Sequence, residues 1–327
     1  MASGNEPAPR PLVRIAGLRK HFPVGGGWFG GGRLIKAVEG VSLSIPERRI
    51  VGLVGESGSG KTTVGRILVK LIQPTGGTVH YRGEDISRLE GSRLRDYRRR
   101  VQMVFQDPFS SLDPRRRVED IVGEALLAGG VGPAAARREL VAERLEMVGL
   151  NSGHLRRFPH EFSGGQRQRI GIARALAAEP EFIVADEPVS ALDVSVQAQV
   201  LNLLLELQER LGLAMLFITH DLAVMRFLCD ELAVMYLGRI MEAGATESVC
   251  SNPLHPYTRA LLSAIPSPRP ETVSRRIILK GDIPSPVNLP SGCVFRTRCP
   301  EARPECAGEA PGLLEKRPGR FTACLLN

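Results

Sequence analysis

The chain has 327 residues, of which 43% are hydrophobic, so its composition supports a packed core and excludes a disordered protein. Its net charge of +8 leaves nucleic acid, an anionic membrane surface or a polyphosphate ligand open as partners, although the dispersed basic residues also suit an ordinary arginine-rich surface. No stretch approaches the roughly 18 apolar residues of a membrane span, and the polar N-terminus lacks the apolar segment of a signal peptide, so we expect a cytosolic protein.

Short apolar runs alternate with helical patterns in the first three quarters of the chain. The predicted strands are 12–22, 37–45, 50–56, 101–105, 182–186 and 214–219. Helical patterns follow residue 61 and lie within 118–150, 163–178 and 195–211. This alternation predicts an α/β protein with a mainly parallel sheet. The stretch 107–180 is too long for one crossover between strands, and it predicts an inserted helical subdomain.

Near residue 251 the composition changes, and proline, glycine and arginine dominate the remaining residues. We predict one domain over 12–251 and a C-terminal extension over 252–327, with one helical pattern at 258–265. The extension holds four of the six cysteines, which are Cys293, Cys299, Cys306 and Cys324. In a reducing cytosol this clustering favours a metal site over disulfides, and four thiolates can hold Zn²⁺ or a [4Fe–4S] cluster. The spacing lacks the C-x₂-C pair typical of structural zinc, which counts against Zn²⁺.

A phosphate-binding loop, the P-loop, is predicted between the strand 50–56 and the helical pattern that follows it. The pattern G-x-x-x-x-G-K-[ST] is matched without departure by Gly55, Glu56, Ser57, Gly58, Ser59, Gly60, Lys61 and Thr62. The glycines let backbone N–H groups point at phosphate oxygens, and the helix adds its positive end. Lys61 supplies a charge for the β- and γ-phosphates, and the Thr62 hydroxyl can bind Mg²⁺. Thr63 is placed with them as an ATP contact.

A pair of adjacent carboxylates follows a second buried strand. The apolar run 182–186 ends in Asp186, and Glu187 comes next. An acidic residue at such a strand end can hold Mg²⁺, and an adjacent one can polarise an attacking water. Acidic residues are common at strand ends, so the pair alone is weak evidence, but after a P-loop it indicates ATP hydrolysis.

In their order along the chain, these motifs resemble those of ATP-binding cassette (ABC) subunits, over roughly residues 12–251. The resemblance rests on Gly55–Thr62, Gln106, Ser163-Gly164-Gly165-Gln166, Asp186-Glu187, Ser190-Ala191-Leu192-Asp193 and His220. The Ser-Gly-Gly-Gln motif is the specific one, because other P-loop ATPases lack it. Phe162 precedes it where leucine is usual, and both are apolar packing residues. The resemblance implies a RecA-like P-loop NTPase core, an antiparallel N-terminal β subdomain and a helical subdomain at about 107–180.

The resemblance also assigns roles in catalysis. It implies that Glu187 acts as general base or orients the water, that His220 contacts the γ-phosphate, and that Gln106 touches Mg²⁺ and the water. It implies that Thr62, Gln106 and Asp186 hold Mg²⁺. Phe22 aligns with the aromatic residue that stacks on adenine, and a plain core role is the alternative for this side chain.

A further part of the resemblance concerns a second subunit. Ser163 is a good N-cap for the helix that follows it, and Gly164 and Gly165 leave the helix N-terminus bare. That end is an anion site without an anion of its own in this chain. In the family this motif meets the γ-phosphate of ATP bound to a partner cassette. The resemblance implies that Ser163–Gln166 and Asp193 contact the partner's ATP, so that two cassettes enclose each nucleotide.

A closer resemblance, to dipeptide and oligopeptide importer ATPases, rests on the segments 105–114, 252–258 and 292–324. The N-terminal Lys-His-Phe-Pro-Val with its glycine-rich insert at 25–32 resembles the second of the two ATPases that such importers carry. The four-cysteine tail resembles tails that carry a [4Fe–4S] cluster. Nickel and glutathione importers share these features, so their substrates remain an alternative.

The resemblance implies an ATPase that drives uptake, peripheral to the cytoplasmic face of the inner membrane. Its implied partners are two transmembrane permeases, an extracytoplasmic substrate-binding protein and a second, non-identical ATPase. The alternative to a transporter subunit is a soluble ABC ATPase that acts on nucleic acid, which belongs to a different functional class. We expect no nucleic-acid partner, because the chain has one cassette and no basic face interleaved with aromatic residues.

Overall fold

The computed structural model describes residues 11–24, 32–107, 111–265 and 276–326. Most of the glycine-rich insert at 25–32 and part of the segment 105–114 lie outside the described residues. The strands are Pro11–Val24 (β1), Arg33–Pro46 (β2), Ile50–Val54 (β3), Gly76–Tyr81 (β4), Glu84–Asp85 (β5), Val101–Val104 (β6), Phe182–Asp186 (β7), Ala214–Thr219 (β8), Glu231–Tyr236 (β9), Arg239–Ala245 (β10), Leu314–Arg317 (β11) and Arg320–Thr322 (β12).

The α-helices of the described residues alternate with these strands through most of the chain. They are Lys61–Leu68 (α1), Gly91–Arg100 (α2), Val118–Ala128 (α3), Ala134–Met147 (α4), Gly164–Ala177 (α5), Val194–Leu211 (α6), Leu222–Leu228 (α7), Thr246–Ser251 (α8) and Pro256–Ser263 (α9). In the part of the chain described here, no helix combines the length and the apolar character that membrane crossing requires.

The larger sheet has the strand order β11-β12-β10-β9-β3-β8-β7-β6, and its strands from β9 to β6 run parallel. Every residue of β3, β7 and β8 is buried, as expected for central strands covered on both faces. The predicted α/β class with a mainly parallel sheet is therefore confirmed. The carboxyl ends of parallel strands meet at one edge, so the loops after β3, β6, β7 and β8 converge there.

The smaller sheet is antiparallel, in the order β2-β1-β4-β5, which confirms the expected antiparallel N-terminal subdomain. Side chains of a strand point alternately to its two faces, and β3 uses both. Ile50 and Val54 belong to the core shared with the helical lobe, whereas Val51 and Leu53 belong to the core shared with the smaller sheet. The central strand therefore joins the two halves of the molecule.

The helical lobe consists of α3, α4 and α5, which pack against one another. Apolar positions at helical spacing, such as Val118, Ile121 and Val122 on α3, are buried in the same core as Leu145 on α4 and Ile170 on α5. Helix α5 begins with a capping box, because the Ser163 hydroxyl accepts from the Gln166 N–H while the Gln166 side chain accepts from the Ser163 N–H. The lobe lies within the stretch predicted as an inserted helical subdomain.

The C-terminal extension adds strands to the larger sheet, since β12 pairs with β10 and β11 pairs with β12. Arg320 on β12 donates to the carboxylate of Glu242 on β10 at 2.7 Å, and the Glu242 side chain is 0% exposed. The same carboxylate accepts from the N–H groups of Leu254 and His255 at 2.8 and 2.9 Å. Strands from both sides of residue 251 thus belong to one sheet. The boundary between two domains at this residue therefore stays a prediction.

Replacement of Arg320 by leucine is expected to destabilise the protein by about 3–5 kcal/mol, because the buried Glu242 carboxylate loses its counter-ion. The free energy of unfolding from denaturant titration measures the effect. Arg317→Leu, in the same hairpin but exposed, serves as the control and is expected to change stability by less than about 0.5 kcal/mol. Equal stability of the two variants would contradict the anchoring role of the ion pair.

Candidate functional site: a nucleotide-binding cavity

A cavity of ≈ 570 Å³ lies where the loops after β3, β6, β7 and β8 converge. Its volume is in the range of small-molecule sites. The described residues that line it are Ile35, Ala37, Glu56, Ser57, Gly58, Gly60, Lys61, Thr62, Thr63, Gln106, Glu187, His220, Leu261 and Pro286. The structure therefore brings most of the predicted P-loop together with the residues predicted for catalysis.

The P-loop turns sharply from β3 into α1, and glycine is required at the turn. Gly60 precedes the helix with φ 104°, and a Cβ there would lie 2.0 Å from the carbonyl oxygen of Ala37. No side chain caps the N-terminus of α1. The first N–H groups of a helix have no partner within it, so this end favours an anion such as a phosphate.

The Lys61 ammonium is held on the P-loop itself. Its Nζ donates to the carbonyl oxygens of Gly55 at 2.8 Å and Glu56 at 3.0 Å, and the residue is 4% exposed. Burial lowers the pKa of Lys61, and the nearby Glu187 and Asp186 carboxylates oppose this shift. A cation in such a poorly solvated place interacts strongly with a polyphosphate.

Thr62 and Asp186 meet across the sheet edge. The Thr62 hydroxyl donates to Asp186 Oδ1 at 3.0 Å, and Asp186 is 3% exposed. Burial raises the pKa of Asp186, the bond from Thr62 lowers it, and the neighbouring Glu187 raises it. A buried carboxylate beside a hydroxyl is a hard oxygen donor set, and Mg²⁺ is commonly held by one or two carboxylates together with phosphates and waters. The residues present therefore fit Mg²⁺.

Glu187 occupies an unusual backbone conformation, with φ 43°, and its N–H donates to the Ile218 carbonyl at 2.8 Å. Its carboxylate accepts from Gln106 Nε2 at 2.8 Å and lies 3.4 Å from His220 Nδ1. A strained non-glycine backbone is maintained only where the surroundings fix it, and such sites are frequently functional. The arrangement places a carboxylate between an amide and an imidazole, where it can orient a water.

The Ser-Gly-Gly-Gln motif is not among the described residues that line the cavity. Gly165 packs so closely on α6 that a Cβ would lie 2.3 Å from Val196 Cγ1, so glycine is also required there for helix packing. Asp193 immediately precedes α6, and its side chain makes no capping hydrogen bond. Within one chain the motif and the P-loop cavity are separate.

Sequence reasoning placed Phe22 at the nucleobase, and it missed four apolar lining residues. Phe22 is paired with Ile35 across the β1–β2 ladder, and the described lining includes Ile35 but not Phe22. Ile35 and Ala37 come from β2, whereas Leu261 and Pro286 come from the extension. The pattern at 258–265 predicted a helix but gave no indication that Leu261 would line a binding site. No feature of the sequence around Pro286 indicated a binding role.

The four cysteines of the extension are the candidate ligands of a metal centre. Among the residues described, no group of three or more His, Cys, Asp or Glu side chains is placed to hold a metal ion. Burial raises the pKa of Cys293 and raises that of Cys299 to about 11, so without a bound metal these side chains are thiols. As placed, the four cysteines do not form a preassembled site for the expected [4Fe–4S] cluster or Zn²⁺.

Comparison with known proteins gives two family matches, ABC transporter over residues 38–190 and oligopeptide/dipeptide transporter C-terminal region over 241–306. A putative peptide import ATP-binding protein of Brucella ovis is 56% identical over 315 residues, which is 96% of this chain and 98% of that protein. A dipeptide transport ATP-binding protein of Haemophilus influenzae is 46% identical over 314 residues, 96% of each. The dimeric cassette MJ0796, solved with ADP and Pi, has a TM-score of 0.64 at 31% identity, covering 72% of this chain and 99% of that one.

Thr62→Val removes the hydroxyl that donates a hydrogen bond to Asp186 and keeps the shape of the side chain. We expect the Mg²⁺ requirement for ATP hydrolysis to rise by about 10–100-fold, because groups that orient a metal ligand have effects of this size. Hydrolysis rates across a Mg²⁺ titration measure it. Thr75→Val removes a hydroxyl that accepts from the His21 N–H outside the described cavity lining, and an equal shift in this control would refute the Thr62 assignment.

Proposed function

The chain belongs to the ABC transporter family as an ATP-binding, ATP-hydrolysing subunit of the peptide-transport type, and from this premise we propose that it energises the import of dipeptides or oligopeptides. The observation that carries the proposal is the convergence of the P-loop, the Thr62–Asp186 pair and the Gln106–Glu187–His220 group on one cavity. The match of residues 241–306 to a transporter C-terminal region supports the peptide class of substrate.

In the proposed reaction, the P-loop N–H groups and Lys61 bind the phosphates of ATP. Thr62 and Asp186, with Gln106 nearby, would hold Mg²⁺, which would supply charge neutralisation to the phosphates. Glu187 orients or deprotonates the attacking water, and His220 positions the γ-phosphate. Phe22 as a stacking partner for adenine remains part of the proposal, together with the apolar wall formed by Ile35.

The proposed active form is a dimer of cassettes. Ser163–Gln166 and Asp193 are separate from this chain's own cavity. The Ser163 hydroxyl caps the Gln166 N–H, and the N–H groups that precede it in the first turn of α5 have no partner within the helix, so they can receive an anion from elsewhere. We place the ATP of a partner ATPase there, and we propose that the partner is a non-identical paralogue. ATP then holds the two cassettes together, and hydrolysis releases them.

The proposed assembly contains two permeases and an extracytoplasmic substrate-binding protein, with this chain at the cytoplasmic face of the inner membrane. Nickel or glutathione is the second candidate substrate, because importers of these molecules share the same sequence features. The two relatives reported above are named as peptide import and dipeptide transport ATP-binding proteins, and this favours peptides.

Glu187→Gln tests the catalytic assignment. We expect ATP hydrolysis to fall at least about 100-fold, since the general base is lost, while ATP-dependent dimerisation persists. Hydrolysis by the complex with its permeases, and its uptake of labelled dipeptide, nickel and glutathione, are measured together. Glu247→Gln, an exposed change on α8, is the control. Normal turnover in the Glu187 variant would refute the role of this residue, and uptake of nickel or glutathione alone would refute the peptide substrate.

A metal centre at the four cysteines is a separate proposal. It is supported by their clustering in the last 35 residues of the sequence and by the hydrogen bond from the Cys293 N–H to the Cys306 carbonyl at 2.8 Å. The side chains need to rearrange to form it.

Anaerobically purified protein is expected to show visible absorption with bound iron, and Cys293→Ser is expected to lose both. Cys250→Ser, outside the tail, is the control. A colourless wild-type protein that binds zinc stoichiometrically would replace the cluster by zinc, and one without metal would refute both.

A further inference from the structure

Arg298 of the C-terminal extension reaches the P-loop across 242 positions of sequence. Its Nη1 donates to Glu56 Oε2 at 2.7 Å and its Nη2 donates to Glu56 Oε1 at 3.2 Å. The two side chains are 10% and 23% exposed. A bidentate guanidinium–carboxylate pair with this little exposure is directional and weakly screened by salt.

Glu56 is a junction between the extension and the phosphate-binding lysine. Its N–H donates to the hydroxyl of Tyr257 at 3.1 Å, and its carbonyl accepts from Lys61 Nζ at 3.0 Å. Both the side chain and the N–H of this P-loop residue are thus held by the extension. A shift of Glu56 would also displace an anchor of the Lys61 ammonium.

Arg298 is itself held in place by a rigid support. Its guanidinium lies 5.9 Å from the ring centroid of Tyr236, and its N–H donates to the Phe295 carbonyl at 3.0 Å. Tyr236, Tyr257 and Phe295 form a buried aromatic cluster with centroid separations of 4.8–5.3 Å. The cluster joins β9 of the sheet to the extension, so Arg298 has little freedom to follow Glu56 elsewhere.

The extension also reaches the side of the cavity that β2 lines. Leu261 and Pro286 line it, and the Lys36 N–H on β2 donates to the Pro286 carbonyl at 3.2 Å. The extension therefore contacts the cavity at the P-loop and at β2, on two sides of the space available to a nucleotide.

From these contacts we infer that Arg298 is a positioning residue of the ATP site, acting through Glu56. The inference rests on the proposed function, because it presumes that ATP occupies the cavity. Glu56 lines that cavity, and a carboxylate without a counter-ion there would repel the phosphates. Arg298 neutralises this carboxylate and holds the P-loop in one conformation before ATP arrives, which reduces the ordering that binding requires.

Neutralisation of the Glu56 charge distinguishes Arg298 from a residue that only holds the extension in place. Loss of Arg298 leaves Glu56 unpaired beside the phosphates, so ATP affinity falls. Removal of the Glu56 charge in the same chain relieves the repulsion, so the double variant binds better than the single one. An anchor that only kept the extension in place would not be rescued by Glu56→Gln.

The experiment measures equilibrium binding of a fluorescent ATP analogue with Mg²⁺, and steady-state hydrolysis, on the full chain. Arg298→Ala is expected to raise Kd and KM about 10-fold, a loss of about 1.4 kcal/mol of binding free energy, and to leave kcat within about twofold. Arg298→Lys keeps the positive charge but loses the bidentate geometry of the guanidinium, and it is expected to raise Kd about threefold. Glu56→Gln with Arg298→Ala is expected to recover at least about half of the lost binding free energy.

The matched control is Arg259→Ala. Arg259 pairs with Glu301 at 2.8 Å, so it also forms an ion pair of the extension, between two of its own segments, and it is not among the described residues lining the cavity. Its Kd is expected to stay within about twofold of the wild-type value. Circular dichroism checks that each variant folds. If Arg298→Ala does not fold, the Kd of Arg298→Lys tests the inference.

Three results would overturn the inference: unchanged Kd in the Arg298 variants, equal weakening by Arg259→Ala, or a double variant no better than Arg298→Ala. Wild-type protein that fails to bind ATP would instead overturn the proposed function and the inference with it.

Discussion

The parallel pairing of β3 with β8 and β9 is the constraint on which the site depends. Parallel strands end at a common edge, so the P-loop after β3 and His220 after β8 are neighbours although they lie far apart in sequence. The two faces of β3 carry the helical lobe on one side and the N-terminal sheet on the other. A change in the register of this strand would move the phosphate site and separate both cores from their shared support.

Negative charge is concentrated at the carboxyl edge of the parallel strands, and hydrogen-bond donors and a cation nearby compensate it. Asp186 and Glu187 are adjacent carboxylates, and burial together with the neighbouring Glu187 charge raises the pKa of Asp186. The Thr62 hydroxyl donates to Asp186 and the Gln106 amide donates to Glu187. The Lys61 ammonium stays on the P-loop, where both carboxylates oppose the lowering of its pKa by burial. The positive φ of Glu187 is the conformational strain associated with that placement, and the bond of its N–H to Ile218 stabilises it.

Local patterns predicted the parts of the structure that depend on local chemistry. The P-loop follows from its glycines, the strands β3, β7 and β8 follow from short apolar runs, and α5 follows from the cap at Ser163. The hairpin β4–β5 and the strands β9 and β10 were not predicted, because their stability depends on neighbours distant in sequence. For the same reason the cavity wall at Leu261 and Pro286, and the Glu56–Arg298 pair, gave no signal: each is a contact between segments without a shared motif.

The distance in sequence between Glu56 and Arg298 has a consequence for biosynthesis. Chains are made from the N-terminus, at about 5–20 residues per second. The P-loop is therefore translated many seconds before the arginine that holds it, and β9, which flanks β3, also follows late. A nascent chain has every residue of the phosphate-binding motif long before the cavity is complete, so ATP binding in its final form begins only when synthesis is nearly finished.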